Sequence, residues 1–249
     1  MIFMKKLVLT LTGFLIAGSV FAAGNTTNDS FNKAKRFLEQ DVYYDHRVTF
    51  YCGAEFDARK NVKLPAGFKT EKHKNRAKRV EWEHVVAAEN FGRAFQEWRN
   101  GDPQCVNNKG QAFKGRRCAE KVNKTFRYMQ ADMYNLYPAI GAVNAARQNY
   151  RFQMLPGAKS DFGSCQMKIE GRQVEPPESS RGAIARTHLY MQDAYPVFRL
   201  SSAQQKLMDA WNKSYPVDAW ECRRARRIEA IQGNENRFVK EPCRKAGLW

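Results

Sequence analysis

Past Val20 this 249-residue sequence contains no run apolar enough to cross a bilayer as a helix. No two cysteines stand at CxxC spacing and no histidine lies three to five residues from another, so a zinc site lacks its usual ligand pattern. A Gly-rich phosphate loop is missing and strands do not alternate with helices in a βαβ rhythm, which sets nucleotide-binding α/β folds aside. Low-complexity tracts and fixed-period repeats are absent. Nucleophile motifs and zinc-protease helices are absent too, which leaves a protease or glycosidase without its machinery. Acid is the last scarcity: 25 Asp and Glu stand against 42 Lys and Arg.

What is present begins with a leader. Lys5 and Lys6 precede an apolar run from Leu7 to Val20, and Val20-Phe21-Ala22 offers small residues where a signal peptidase reads them. The layout predicts a secretory signal peptide over 1–22, because the run is short of the roughly 20 residues that a span needs. The remainder, 23–249, is predicted to be a single domain with loop insertions. Without Lys5 and Lys6 the mature chain carries 40 basic against 25 acidic side chains, a net +15. A surplus of that size attracts polyanions; nucleic acid leads, with an acidic membrane surface or polysaccharide as the alternative.

Six cysteines, Cys52, Cys105, Cys118, Cys165, Cys222 and Cys243, all lie beyond the leader. An even count in an exported chain predicts three disulfides. Cys105 and Cys118 form the best pair, since they bracket a Gly/Asn/Lys-rich loop that little else would hold. Closing that loop should stabilise by about 3 kcal/mol in the chain-entropy picture.

Along the chain, Ser30 to Leu38 reads as a helix capped by Ser30, with Phe31, Ala34 and Leu38 on one face. His46 to Tyr51 alternates as a strand, and Val80 to Val86 is the next strand-like run. Asn61 to Arg79 reads as an exposed basic loop or hairpin, and Asn100 to Lys124 as a long insertion without periodicity. Phe126 to Arg147 looks helical, with Pro138 expected to start a new helix at its first turn. Helical patterns recur at Ala203 to Trp211 and Ala219 to Ile231. The fold class is therefore α+β.

Glu83 and His84 are the pair that suggests chemistry. In a regular strand neighbours point to opposite faces, so one site can use both only where the strand ends or bulges. A histidine beside a carboxylate is often only structural; here the surrounding string adds to it. Glu81-Trp82-Glu83-His84-Val85-Val86, with Phe91-Gly92 soon after, resembles the endonuclease I family of periplasmic and secreted bacterial nucleases. The resemblance continues through Met129 to Asn144, then Arg147, Asn149 and Tyr150-Arg151-Phe152. It runs on through Glu175-Pro176-Pro177, Arg181 to Arg186, Trp220-Glu221, Arg227-Ile228 and Gln232-Gly233-Asn234. The blocks keep their order over most of the mature chain.

That resemblance implies the ββα-metal (His-Me finger) fold and an exported, sequence-nonspecific endonuclease acting on DNA and RNA. Carried over residue by residue, it gives Glu83 and Asn144 as ligands of one divalent ion. His84 becomes the general base, and Arg116, from Gly115-Arg116-Arg117-Cys118, the arginine set against the phosphate. Arg116 and Arg117 cannot be separated on this basis, because the spacing to Cys118 is shortened. Oxygen ligands suit Mg²⁺, with Mn²⁺ or Ca²⁺ as alternatives. Neutral imidazole suits proton abstraction near pH 7. The implied reaction is in-line attack by water on phosphorus, leaving a 5′-phosphate. Asn135 is expected before the helix, holding a neighbouring backbone or orienting His84, with Asn144 about two turns into it. Ala87 replaces a common proline, and Gln130 a common glutamate, which leaves a supporting carboxylate there in question.

For binding, Arg147, Arg181 and Arg186 are plausible phosphate contacts, and Arg223, Arg224, Arg226 and Arg227 form a denser cluster. The alternative for such residues is a solvated face or internal ion pairs. Phosphate contacts carry no base sequence, so cleavage without sequence preference is expected. His46, His73 and His188 read as structural or exposed. A periplasmic or secreted monomer, not attached to a membrane, completes the reading. Its rival is a non-catalytic polyanion-binding protein of the envelope.

Overall fold

The structure, a computed structural model, describes residues 23–249. The expected signal peptide, 1–22, lies outside the described residues. In chain order the helices and strands are α1 (Phe31–Phe37), α2 (Lys74–Ala77), β1 (Val80–His84), α3 (Ala88–Gly92) and α4 (Gln96–Arg99). They continue with α5 (Arg116–Val122), α6 (Lys124–Gln130), β2 (Leu136–Ile140), α7 (Gly141–Arg147), β3 (Arg151–Phe152), β4 (Lys168–Glu170) and β5 (Gln173–Glu175). Four helices close the chain: α8 (Glu178–Ala194), α9 (Ser202–Ser214), α10 (Ala219–Gln232) and α11 (Arg237–Lys245). Helix and sheet are mixed, and no helix among the described residues is long and apolar enough to span a membrane.

The central unit is β1 paired antiparallel with β2, His84 opposite Leu136 and Val80 opposite Ile140, with α7 starting directly after β2. Two hydrophobic cores lie on either side of this pair. Val86 and Leu136 belong to one, with Phe91, Phe126 and Tyr190; Val85, Tyr137 and Ile140 belong to the other, with Phe152, Ile184 and Trp211. Burial on both faces explains why β2 reads as a continuous apolar run without alternation.

Pro138 does not begin a helix; it sits in the middle of β2, opposite Trp82. A residue's N–H and C=O point to the same side of a strand, and the Pro138 carbonyl accepts from Phe50 N at 2.7 Å, away from β1. Its missing donor therefore removes nothing from the β1–β2 ladder. The same missing donor cannot return a bond to Phe50. This accounts for a second departure: His46–Tyr51 forms no strand, only an isolated bridge from Val48 to Glu55. The helix starts instead at Gly141, which leaves Asn144 in its first turn rather than two turns in.

Ser30 caps α1 by accepting from Lys33 N, and the chain continues as a π-helical turn over Leu38–Val42. The segment 61–79 is mostly exposed, pinned by a bridge from Asn61 to Arg79. Inside the aperiodic 100–124 stretch lies α5, entered through Gly115 at φ 75°, a left-handed value that favours glycine. The 17-residue α8 has no expected counterpart; it is buried along most of its length, so it lacks a clear polar face. Disulfides join Cys52 to Cys165, Cys105 to Cys118 and Cys222 to Cys243.

Candidate active site

β1 and α7 meet in register. Glu81 and Glu83, two apart on the strand, share a face, and Asn144 and Arg147, three apart on the helix, share another. Asn144 Nδ2 donates to Glu81 Oε2 at 3.0 Å, and Arg147 Nη1 lies 3.1 Å from Glu83 Oε1. Glu81 is itself held by Arg76, whose Nε donates to Oε1 at 2.8 Å. One strand–helix contact thus positions both oxygen-bearing side chains.

Glu83 is 4 % exposed. Its Oε1 also accepts from Tyr51 Oη at 3.0 Å. Desolvation pushes its carboxyl up to about 7, outweighing the attraction of Arg147 and the Tyr51 hydrogen bond. Burial likewise pushes His84 down to about 3, with the Arg116 charge adding to it. His84 is therefore neutral near pH 7, and Glu83 titrates close to that pH. His84 Nε2 lies 2.8 Å from the backbone oxygen of Gln130. A carbonyl can only accept, so Nε2 carries the proton and Nδ1 keeps its lone pair.

β1 ends at His84, and the backbone just beyond it is clamped. Asn135 Oδ1 accepts from Val86 N at 2.7 Å while its Nδ2 donates to Val86 O at 2.9 Å, and Asn135 is fully buried. Arg147 donates to the carbonyl oxygens of His84 at 3.0 Å and Val85 at 2.5 Å. With the strand stopped there, Glu83 and His84 line one cleft despite being sequence neighbours.

That cleft has a volume of about 390 Å³ and is also lined by Asn144, Arg116, Trp82 and Gln148. The two adjacent arginines are separated by this geometry. Arg116 lines the cleft, its Nε donating to Gln130 Oε1 at 2.7 Å, whereas Arg117 stacks 4.7 Å from the Phe113 ring centroid and lines a different hollow. Gln130 Nε2 donates in turn to Glu120 Oε1 at 3.2 Å. Glu120 lies one helix turn beyond Arg116 on α5.

The fit of a divalent ion can be tested on the donor set. Glu83 Oε2 and Asn144 Oδ1 accept no hydrogen bond among the described residues. Two free hard oxygens on one cleft suit an ion that keeps most of its waters. Among the described residues no group of three or more His, Cys, Asp or Glu could hold an ion, so one here would rest on that carboxylate and amide. A cation would also oppose the desolvation that raises the Glu83 carboxyl.

The residues chosen for phosphate binding are placed differently. Arg147 is 1 % exposed and braced against Glu83. Arg186 is buried with Glu221 at 2.6 Å, and Arg181 is mostly buried with Glu175 at 2.9 Å. All three are internal ties, which corrects the expectation that they face a polyanion. In the denser cluster Arg224 is buried against Tyr43 Oη and the carbonyls of Met133 and Leu136, and Arg227 pairs with Asp45. An arginine in sequence carries no mark of its partner; these carboxylates lie 6 to 182 positions away in the chain. Tyr51, Glu81 and the Gln130 carbonyl also escaped the sequence reading, since a backbone acceptor or distant hydroxyl leaves no pattern.

The sequence profile of the family described as Endonuclease I matches residues 26–243. An extracellular deoxyribonuclease of Aeromonas hydrophila is 42 % identical over 86 % of this chain and 90 % of its own length. A periplasmic deoxyribonuclease of the same organism is 41 % identical over 84 % of this chain and 86 % of its own. Endonuclease-1 of Buchnera aphidicola subsp. Acyrthosiphon pisum is 36 % identical over 88 % and 84 %, respectively. With a profile spanning nearly the whole described structure and relatives covered along most of their length, this chain belongs to the endonuclease I family.

Proposed function

We propose that this chain is an exported endonuclease that hydrolyses phosphodiester bonds of DNA, and of RNA, without sequence preference. One observation carries the reading: Glu83, His84, Arg116 and Asn144, from three separate parts of the chain, line a single cleft. A polyanion-binding protein needs the basic surplus but has no use for an imidazole with a free Nδ1 beside two unoccupied oxygens. Family membership supports the same reading, as do the names of the relatives, which call them extracellular or periplasmic deoxyribonucleases. Periplasmic residence or secretion as a monomer belongs to this proposal.

The β1–β2 pair and α7 are read as a ββα-metal core. Glu83 and Asn144 would hold Mg²⁺, Mn²⁺ or Ca²⁺, which when bound supplies positive charge to the phosphate and the leaving oxygen. His84 holds its ring by Nε2–H on the Gln130 carbonyl and accepts a proton from the attacking water at Nδ1. Arg116, held by Gln130, meets a phosphate oxygen. Arg147 and Asn135 fix the backbone just after His84 and so keep the ring in place. Attack of that water on phosphorus breaks the P–O3′ bond, and the leaving oxygen takes a proton from solvent, giving a 5′-phosphate and a 3′-hydroxyl.

Plasmid DNA and folded RNA, incubated side by side with oxidised protein, test this. Cleavage of both with Mg²⁺ and of neither with chelator is expected. Intact plasmid in the presence of Mg²⁺ overturns the reading.

A further inference from the structure

A second hollow, about 540 Å³, is larger than the cleft that holds His84 and adjoins it. Asn149 lines both. The same two walls run on from one to the other. On one wall Glu89 faces the cleft, while Asn90 and Arg93 at the end of α3 face the trough. On the other, Gln148 faces the cleft, while Tyr150 and Arg151 face the trough. The two hollows are thus neighbours that share Asn149.

No carboxylate lines the trough, whereas five arginines do. Two of these are already held, Arg147 by Glu83 and Arg93 by Glu89. Arg151, Arg172 and Arg199 are exposed and, among the described residues, have no carboxylate within ion-pair distance. Arg199 donates only to the carbonyl oxygens of Gln192 and Phe198, at 3.3 and 3.1 Å. These three cations come from three separate segments of the chain, yet they line one hollow.

Arg172 is there against the backbone's preference. Gly171 and Arg172 form the two-residue turn of the β4–β5 hairpin, with φ of 53° and 65°. Such turns favour Asn and Gly, because a side chain with positive φ is strained. Strain retained at an exposed tip is explained when the side chain itself has a role. Its guanidinium lies 5.7 Å from the ring centroid of Tyr150, which precedes β3 as Arg172 precedes the β5 strand paired with it.

We propose that this trough seats the phosphodiester backbone of duplex DNA on one side of the bond being cut, with Arg151, Arg172 and Arg199 as its phosphate contacts. The proposal rests on the nuclease reading, but its test does not depend on cleavage. Contacts to phosphate release counterions, so each one lost should flatten the slope of log Kd against log salt by about 0.9.

The experiment is fluorescence anisotropy of a labelled 30-base-pair duplex, titrated in chelator at several salt concentrations. Three proteins are compared: the wild type, Arg151→Ala/Arg172→Ala/Arg199→Ala, and a charge-matched control, Arg59→Ala/Lys72→Ala/Lys74→Ala. The control removes three exposed cations that line neither hollow. The trough variant should lose about 2.7 from the salt slope and roughly 10-fold or more in affinity at 0.1 M salt, with the control much closer to wild type. Equal losses in the two variants, or none in the trough variant, overturn the proposal. Arg172→Gly separates binding from folding: relieving the left-handed strain should hold or raise the unfolding midpoint while affinity falls. A fall in both would make Arg172 a structural residue and remove it from the site. Wild-type protein that nicks plasmid while the trough variant binds like wild type refutes the trough alone. Wild-type protein that binds but never nicks refutes the nuclease reading alone.

Discussion

His84 is suspended from the backbone of Gln130, its Nε2 donating to that carbonyl oxygen at 2.8 Å, and the side chain of the same Gln130 accepts from Arg116. One residue at the end of α6 therefore orients both the proposed base and the proposed phosphate ligand. The tautomer is fixed by a group that cannot itself titrate. A backbone oxygen only accepts, so Nδ1 keeps its lone pair for as long as the imidazole is neutral.

Replacing His84 by Ala should lower plasmid nicking by about 10²- to 10⁴-fold, the usual contribution of a positioned general base. Circular dichroism and the unfolding midpoint should stay close to wild type. Nicking at the wild-type rate would remove His84 from the mechanism.

Arg116→Ala and Arg117→Ala should differ sharply although the residues are adjacent. The first should reduce turnover on the order of 10²-fold, because it takes away a donor aimed where charge develops. The second should leave cleavage nearly unchanged, since Arg117 lies over Phe113 outside the cleft. Steady-state kinetics on plasmid decide it; equal defects would contradict the assignment.

Arg147→Met removes a buried partner of Glu83 and the donors to the His84 and Val85 carbonyls, so it should destabilise by about 3–5 kcal/mol. Urea unfolding measures this. Adding Glu83→Gln should recover little of the loss at pH 6 and more at pH 8, where the unpaired carboxyl must be kept protonated, while cleavage stays abolished. A single variant as stable as wild type would mean the pair is not enclosed.

Opening the Cys105–Cys118 bond should cost about 3 kcal/mol and more than its share of activity. The bridge anchors the start of α5, which carries Arg116 two residues before Cys118. A Cys105→Ala/Cys118→Ala protein, assayed well below its own unfolding temperature, should cleave more slowly than wild type. Fully reduced protein should be inactive, and undiminished cleavage by it would count against the role of the disulfides.

His188 gives a pH dependence separate from the cleft. Burial pushes its imidazole down to about 4 from the usual 6.5, so folding favours the neutral form. The stability this contributes is complete above about pH 6.5 and is lost as pH falls toward 4, up to roughly 3 kcal/mol. His188→Leu should flatten the fall in unfolding free energy between pH 7 and pH 4.5. The same slope in both proteins would show that another group is responsible.

The sequence by itself determined the α+β class, the six cysteines, the basic surplus and the string around Glu83 and His84, because composition and contiguous blocks survive without coordinates. α1, α9 and α10 were legible for the same reason: their caps and apolar spacing are local. Tertiary structure alone decided the rest. Pro138 is a strand residue only because its missing N–H faces away from β1, and α8 is a helix whose burial on nearly all sides erased its periodicity. Above all, packing decided which arginines are buried ties and which line the trough. A charge in a sequence does not reveal its partner. Arg147, Arg181 and Arg186 found carboxylates inside the fold, and Arg151, Arg172 and Arg199 were left facing solvent.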